Sequence, residues 1–167
     1  MTVWLLSPLM FLQLATIFCT CYFCYVASQN RSPARRAEIM WDTEFTGRQL
    51  MNADLHGANL EGEDLAKANL RGANLERANL RAANLIRANL IGTRLEFADL
   101  RDANLSRAIL QNSRLSHANL TNTNLNGANL MNADLTGADL TGAKIIGTKL
   151  TGTNLTGATM PDGSIHD

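Results

Sequence analysis

The sequence predicts an all-β coil built from a five-residue repeat, preceded by one membrane-spanning α-helix at the N-terminus. Three observations support this prediction. Leucine returns at every fifth residue from Leu50 to Leu155, with Ile145 as the one exception among 22 positions. Eleven of the 12 glycines lie two residues after such a central apolar position. No charged side chain precedes Arg31, so all 15 basic and 15 acidic residues belong to the rest of the chain.

Residues 1–27 are predicted to be a transmembrane anchor. The stretch Val3–Ala27 contains no charged side chain. As a helix it would be about 37 Å long, enough to cross a bilayer core of about 30 Å with some tilt. Basic residues follow the segment closely and none precedes it, so the positive-inside rule predicts a single-pass protein whose body is cytoplasmic. These basic residues are Arg31, Arg35 and Arg36.

The same segment could instead be a signal peptide. The small residues Val26, Ala27 and Ser28 could form a cleavage site, after which the body would be exported. Against this alternative, the segment has no basic residue at its start and is longer than the apolar region of a signal peptide. The spacing C-x-C-x-x-C of Cys19, Cys21 and Cys24 invites a metal site. We expect none, because these thiols would lie in lipid.

Residues 28–44 are predicted to be a linker with a short capping helix. Ser32 and Pro33 form a helix-start signal, with serine as the cap and proline at the first helical position. A helix over about Ala34 to Trp41 would place Trp41 over the open end of the coil that follows.

The repeat unit reads A-(N/D)-L-x-x. Two residues before the 22 central positions stand 15 alanines, four threonines and one serine, with Arg48 and Glu63 as exceptions; one residue before them stand 16 asparagines or aspartates. A step of five does not complete a whole number of α-helical turns, and on a flat strand it flips the face, so neither element keeps the leucines together. The leucines share one side only if the chain turns a corner once per unit. The sequence therefore predicts a coil with leucine and alanine inside and the x-x pair outside.

Tandem units such as Ala58-Asn59-Leu60 and Ala73-Asn74-Leu75 resemble the pentapeptide-repeat family, and the resemblance covers residues 45–160. It implies a right-handed quadrilateral parallel β-helix with four units per coil, about six coils in all, followed by a C-terminal tail at 161–167. The ending Ala158–Gly163 resembles cyanobacterial members. A plasma or thylakoid membrane would then be the location, or the thylakoid lumen or periplasm after signal cleavage. Glu63 departs from the inner pattern, and we expect a bulge or a rotation toward solvent there.

The residue types of the body argue against catalysis. It has no cysteine, its three histidines are scattered along the chain, and its glycines occur singly at repeat corners. We therefore expect no enzyme, no catalytic residue, no cofactor, no metal and no small-molecule substrate. A net charge of zero also excludes, at the level of composition, a strongly basic nucleic-acid binder.

A step of four repeat units predicts which side chains stack. Arg77, Phe97 and His117 fall in one column, with Arg94 and Arg114 on the same face beside Glu76 and Glu96. These first five residues form a candidate protein-interaction patch, because an exposed Phe flanked by Arg is typical of binding hot spots. The same step aligns Lys67, Arg87 and Arg107 on another face, and Met51, Ile91 and Met131 on a third.

These observations predict a non-enzymatic, membrane-anchored structural or protein-interaction module, a rigid rod that presents a docking surface to an unknown protein partner, with a photosynthetic complex among the candidates. The family resemblance also implies an alternative, since some members mimic DNA and bind topoisomerase. That role needs a strongly negative rod, whereas 12 basic and 13 acidic residues lie between Glu44 and Asp167. The DNA mimic is thus the less favoured alternative.

Overall fold

The computed structural model describes residue 47 and residues 49–167. Residues 49–167 form one solenoid whose successive coils are joined by parallel β-bridges. Single-residue bridges take the place of extended strands, and each joins a residue to the one 20 positions later, from Gln49–Asn69 to Asp139–Thr159. No helix occurs in this part of the chain. Because every one of these bridges has the same offset, each coil contains four repeat units.

The four units of a coil form four faces, which we call faces I to IV. Each face is named by its central inward-pointing residues, which recur once per coil. Face I begins at Leu50, face II at Leu55, face III at Leu60 and face IV at Leu65. Residues one full coil apart lie directly above one another, at the strand spacing of about 4.8 Å. Residues half a coil apart lie on opposite sides of the section.

Leucine fills the axis of the coil, as the repeat predicts. Leu70, Leu90, Leu110 and Leu130 are each at most 1% exposed and form one vertical column. The alanines two residues earlier are buried beside them, because only a small side chain fits between the central leucines of neighbouring faces. Where threonine replaces alanine, its hydroxyl donates to a backbone carbonyl in the coil before, as Thr123 Oγ1 does to Leu100 O at 2.7 Å. The burial of these hydroxyls is thereby compensated.

Each corner is a tight turn closed by a backbone hydrogen bond. The N–H of the inner alanine donates to the carbonyl of the preceding central residue, as Ala53 N does to Leu50 O at 3.1 Å. The residue two after the central position has a positive φ at each corner between Gly47 and Gly157. A type II turn requires this conformation, which glycine adopts without steric cost. This explains the position of eleven glycines in the repeat.

Asparagine and aspartate occupy the bridge position of most faces and also stabilise the corner after it. The Oδ1 atom of Asn74, for example, accepts from the backbone N–H of Glu76 at 3.3 Å. Its Nδ2 atom donates to Asp54 Oδ1 in the preceding coil at 3.0 Å. One side chain therefore links a turn within the coil to the coil before it.

Of the two departures expected at Glu63, a bulge or a rotation toward solvent, the bulge is absent. Asn84 N still donates to Glu63 O at 2.9 Å, and the neighbouring bridge Asp64–Asn84 continues the regular offset. The Glu63 side chain is half-buried, and this burial raises the pKa of its carboxyl group. The chain keeps its path because the backbone hydrogen bonds outweigh the cost of one partly desolvated carboxylate.

Residues 161–167, the predicted C-terminal tail, form a hairpin with the end of the repeat. The chain turns at residues 161–163, and Ile165 pairs antiparallel with Thr159. His166 N donates to Ala158 O, and Gly157 N donates to His166 O. This hairpin gives the last coil of the repeat hydrogen-bond partners that a further coil would otherwise supply.

The predicted transmembrane segment at 1–27, the linker and capping helix at 28–44, and the start of the first coil at Phe45 lie outside the described residues. Of the six coils predicted, the start of the first therefore stays a prediction. Among residues 49–167, no helix is long and apolar enough to span a membrane.

Candidate protein-docking site

A column of side chains stands on the corner between faces II and III. Arg77, Phe97 and His117 follow one another once per coil, as the sequence predicts. The rings of Phe97 and His117 are stacked, with centroids 5.2 Å apart and planes inclined by 16°. The guanidinium carbon of Arg77 lies 5.4 Å from the centroid of the Phe97 ring, within the range of a cation–π contact. Phe97 therefore has a neighbour on each side and is still 52% exposed.

Gly137 forms the base of this column. A Cβ atom at Gly137 would lie 2.7 Å from His117 Nδ1 and 2.8 Å from His117 Cε1, so the imidazole lies directly against the glycine. Any larger residue at 137 would displace the ring. The column thus has four members, and glycine at the fourth position lets the histidine lie flat.

Two arginines beside the column are held by two glutamates. Arg94 Nη2 lies 2.6 Å from Glu76 Oε2, and Arg114 Nε lies 3.1 Å from Glu96 Oε1. In both pairs the glutamate precedes the arginine by 18 positions, whereas a full coil has 20. Each pair therefore joins adjacent coils across face II. Arg94 and Arg114 are consequently paired at the surface. Arg77 forms a longer ion pair, 3.9 Å from Nε to Glu76 Oε1, and is the arginine in contact with the exposed ring.

Glu96 is the buried member of this network. Its side chain is 10% exposed, and its Oε2 atom has no hydrogen-bond partner among the described residues. The nearest cation, Arg94 Nε, lies 3.8 Å away, which is an ion-pair distance but too long for a hydrogen bond. A buried acceptor without a donor is rare in folded proteins, and this one is too deeply buried for a partner to reach.

An aspartate one coil below extends the network. Asp134 accepts from the hydroxyl and the N–H of Thr136, and these hydrogen bonds are the main reason that the pKa of its carboxyl group is lowered. Arg114 and His117 lower the pKa further by their charge. Asp134 therefore stays ionised and adds a negative charge at the lower edge of the site.

The structure brings together all five residues of the predicted patch. Sequence reasoning missed the role of Gly137 and the burial of Glu96. The spacing between Glu76 and Arg94, repeated between Glu96 and Arg114, was the available signal for the ion pairs. Among residues 49–167, no group of three or more His, Cys, Asp or Glu side chains is placed to hold a metal ion.

Comparisons with known proteins agree with this architecture. The family model described as pentapeptide repeats matches eight copies, in overlapping blocks that together cover residues 49–157. No curated protein matches the sequence significantly.

The chain is similar to several solved structures. One is HetL, a pentapeptide repeat protein involved in heterocyst differentiation regulation from the cyanobacterium Nostoc sp. strain PCC 7120, at 35% identity over 71% of this chain and TM-score 0.47. The chain spans 66% of HetL. A second is Rfr23 from the cyanobacterium Cyanothece 51142, at 34% identity over 73% of this chain and 90% of that one, with TM-score 0.49. A third comes from the thylakoid lumen of Arabidopsis thaliana, at 29% identity over 74% of this chain and 72% of that one, with TM-score 0.22.

Proteins of this family fold as right-handed quadrilateral β-helices and are in general non-enzymatic structural or interaction proteins. The matched residues 49–157 make up well over half of the chain. With its four-unit coil, leucine axis and glycine corners, the chain belongs to the pentapeptide-repeat family.

Proposed function

We propose that this protein is a membrane-anchored interaction module whose docking surface is the corner between faces II and III. The proposal rests chiefly on Phe97, the one Phe, Tyr or Trp side chain between residues 49 and 167, which is half-exposed in a rigid column. An exposed aromatic ring fixed by stacking loses little conformational entropy when it binds, which favours it as an anchor.

The ions of face II support the same proposal. Arg77 presents a guanidinium next to the ring and lies 3.9 Å from Glu76 Oε1, a longer ion pair than those of Arg94 and Arg114 with their glutamates. An aromatic ring and a cation in one column are suited to a protein partner that offers an apolar pocket and a hydrogen-bond acceptor for the guanidinium.

Capture of a partner from solubilised native membranes tests the docking surface. Three full-length baits are compared: the wild type, Phe97→Ala and Met51→Ala. Met51 is the matched control because it is 53% exposed on face I, against 52% for Phe97. If the corner binds, Phe97→Ala weakens capture by about 2 kcal/mol or more, which is the loss typical of a hot spot.

The Met51→Ala bait shows whether a loss of capture is specific to the Phe97 column. Met51→Ala is expected to retain the partner, because its side chain lies away from the column. A partner that Phe97→Ala retains as well as the wild type, or that both variants lose equally, would contradict a docking role for this corner. Circular dichroism of the three baits verifies that each is folded.

Membrane anchoring by residues 1–27 is the second part of the proposal. Its support is the uncharged stretch Val3–Ala27 followed by three arginines. The full chain should remain in membranes after a carbonate wash, and its repeat should be cleaved by protease added from the cytoplasmic side. A mature N-terminus at Gln29 in a soluble lumenal or periplasmic fraction would instead favour the exported alternative.

The DNA-mimic alternative has weaker support. Faces II and III carry nine acidic residues between 49 and 162, but five arginines are interleaved with them. Four of these acids form ion pairs with arginine. A continuous acidic stripe, which is what imitates a phosphate backbone, is therefore interrupted. Inhibition of topoisomerase by the purified chain would revive this alternative.

A further inference from the structure

The neutral rod has an uneven charge distribution around its axis. Between residues 49 and 162, faces IV and I together carry six basic and two acidic residues, whereas faces II and III carry five basic and nine acidic ones. The six basic residues are Lys67, Arg71, Arg87, Arg107, Lys144 and Lys149. We call faces IV and I the basic side. Total composition hides this difference because the two halves of the section cancel.

Three cations of the basic side stand in one column. Lys67, Arg87 and Arg107 are exposed on the corner between faces IV and I, about 4.8 Å apart from coil to coil. No ion pair joins any of them to an acidic residue within 49–167, whereas the ion pairs of that region all lie on faces II and III. Like charges so close repel one another, and an external anionic surface would relieve that repulsion.

Face I contributes apolar side chains to the basic side and, within residues 49–162, no acidic side chain. Its described residues include the exposed Met51 and Ile109, with the partly buried Ile91 and Met131 in the same region. Its charged residues within 49–167 are Arg71 and Lys149, both basic. A β-helix face is also flat and rigid, because each bridge residue lies directly above the one 20 positions before it.

We propose that the basic side of the rod, face I with the Lys67–Arg87–Arg107 corner, lies against an anionic lipid surface. Cations attracted to anionic headgroups and apolar side chains at the headgroup boundary are the two contributions that hold peripheral structures on membranes. A flat face fits a planar bilayer better than it fits a single acidic polypeptide, which would contact one column. The lipid contact requires no partner at Phe97 and is independent of the docking proposal.

This contact would also orient the docking column. Lys67 and Arg77 are half a coil apart, as are Arg87 and Phe97. The two corners are therefore diagonally opposite in the four-sided section. With the basic corner on lipid, the ring of Phe97 would point away from the membrane and toward a partner.

Lysine acylation tests the proposal with the full chain. The three lysines of the sequence, Lys67, Lys144 and Lys149, all lie on the basic side. Thr141→Lys adds a reference amine on face III, where residue 141 is exposed. The full chain carrying this substitution is mixed with phosphatidylcholine vesicles or with vesicles that also contain phosphatidylglycerol, and labelling by a water-soluble amine reagent is read out by mass spectrometry.

The expected result is slower labelling of Lys67 on the corner and Lys149 on face I when the vesicles are anionic, by about threefold or more, with the reference lysine unchanged. Because the comparison is between two vesicle types, it holds whether or not residues 1–27 insert. Equal labelling on both vesicles would overturn the proposal, and so would equal protection of the reference lysine. Protection by soluble polyglutamate with none by anionic vesicles would overturn it in favour of an acidic protein partner.

Matched double variants identify the residues responsible. Arg87→Gln with Arg107→Gln removes two charges from the basic corner, and Arg81→Gln with Arg101→Gln removes two from face III. The first pair should abolish the protection of Lys67 and Lys149 on anionic vesicles, and the second should leave it intact. Protection that survives the first pair, or that disappears in both, would overturn the assignment of the corner.

Discussion

The ring of Phe97 stacks on the imidazole of His117, with centroids 5.2 Å apart, one coil below it in the β-helix. Both residues have a positive φ, 60° for Phe97 and 58° for His117. Large side chains seldom adopt this conformation, and here the turn of each corner imposes it. The column therefore combines a favourable ring contact with an unfavourable backbone conformation at the same residues.

Replacing Phe97 separates these two contributions. Phe97→Ala removes the stacking and the cation–π contact but keeps a Cβ atom at positive φ, so we expect a loss of about 0.5–1.5 kcal/mol in the free energy of unfolding. This exceeds the value of under about 0.5 kcal/mol predicted for an isolated surface residue. Phe97→Gly should be less destabilising than Phe97→Ala by up to about 1 kcal/mol, because glycine tolerates the conformation. Urea titrations measure both values, and a glycine variant less stable than the alanine variant would contradict the argument.

Gly137→Ala tests the base of the column. A Cβ atom there meets the His117 ring at 2.7 Å, whereas at Gly92, which has the same φ of 64°, it meets nothing within 4 Å. Both variants carry the same backbone strain, so their difference reports the contact with His117. We expect Gly137→Ala to change the chemical shifts of the ring protons of Phe97 and His117 in NMR spectra. Gly92→Ala should leave these chemical shifts unchanged. Identical spectra for the two variants would show that His117 does not lie on Gly137.

Leu110→Asp should unfold the rod. Leu110 is fully buried, and a carboxylate in its place would lie in an apolar axis without a partner, at a cost above about 4 kcal/mol. Ile109→Asp is the matched control, since Ile109 is exposed on the bridge position where aspartate is common. Circular dichroism should show a folded control and an unfolded Leu110→Asp variant. A folded, soluble Leu110→Asp protein would refute the buried column.

Glu63→Ala should stabilise the protein in a pH-dependent way. Burial raises the pKa of the Glu63 carboxyl group above its ordinary value of 4.5. The ionised side chain therefore opposes folding at neutral pH, and this penalty disappears as the pH falls below 4.5. Alanine restores the repeat, with an expected gain of about 0.5–2 kcal/mol at pH 7.

Thermal melts from pH 7 to pH 3.5 measure this effect. The gain should shrink as the pH falls, because the wild-type side chain becomes neutral in both the folded and unfolded states. Glu61→Ala serves as the control, since Glu61 is exposed and its removal relieves no burial. A gain that stays constant over this pH range would argue that alanine acts by packing alone.

Arg114→Gln should expose the dependence of Glu96 on its partner. Arg114 Nε is the ion-pair partner of Glu96 Oε1 at 3.1 Å, and without it the buried carboxylate keeps Arg94 Nε at 3.8 Å as its nearest cation. We expect a loss of about 1–3 kcal/mol, the cost of leaving a buried carboxylate without its closest cation. Arg107→Gln, which breaks no ion pair among the described residues, should change stability by less than about 0.5 kcal/mol. Equal effects in urea titrations would contradict the burial argument.

The candidate site could be predicted from the sequence to an unusual degree because the fold has one period. Once the coil is known to hold four repeat units, Arg77, Phe97 and His117 fall in register by counting. The same counting aligns Lys67, Arg87 and Arg107 and separates the basic side from faces II and III. Periodicity alone left the number of sides open, however, and only the family resemblance and then the bridges of the structure supplied four.

The amino-acid sequence by itself determined the inward leucines, the buried alanines and the corner glycines, because each follows from a local steric requirement repeated once per unit. The tertiary structure alone decided what happens between coils. It placed the His117 ring on Gly137, paired Arg114 with Glu96 and buried that glutamate, and it folded residues 161–167 back onto Thr159. The side-chain contacts depend on rotamers, and the hairpin depends on where the series of parallel bridges ends. Residues of successive coils become neighbours only when the chain has closed each coil.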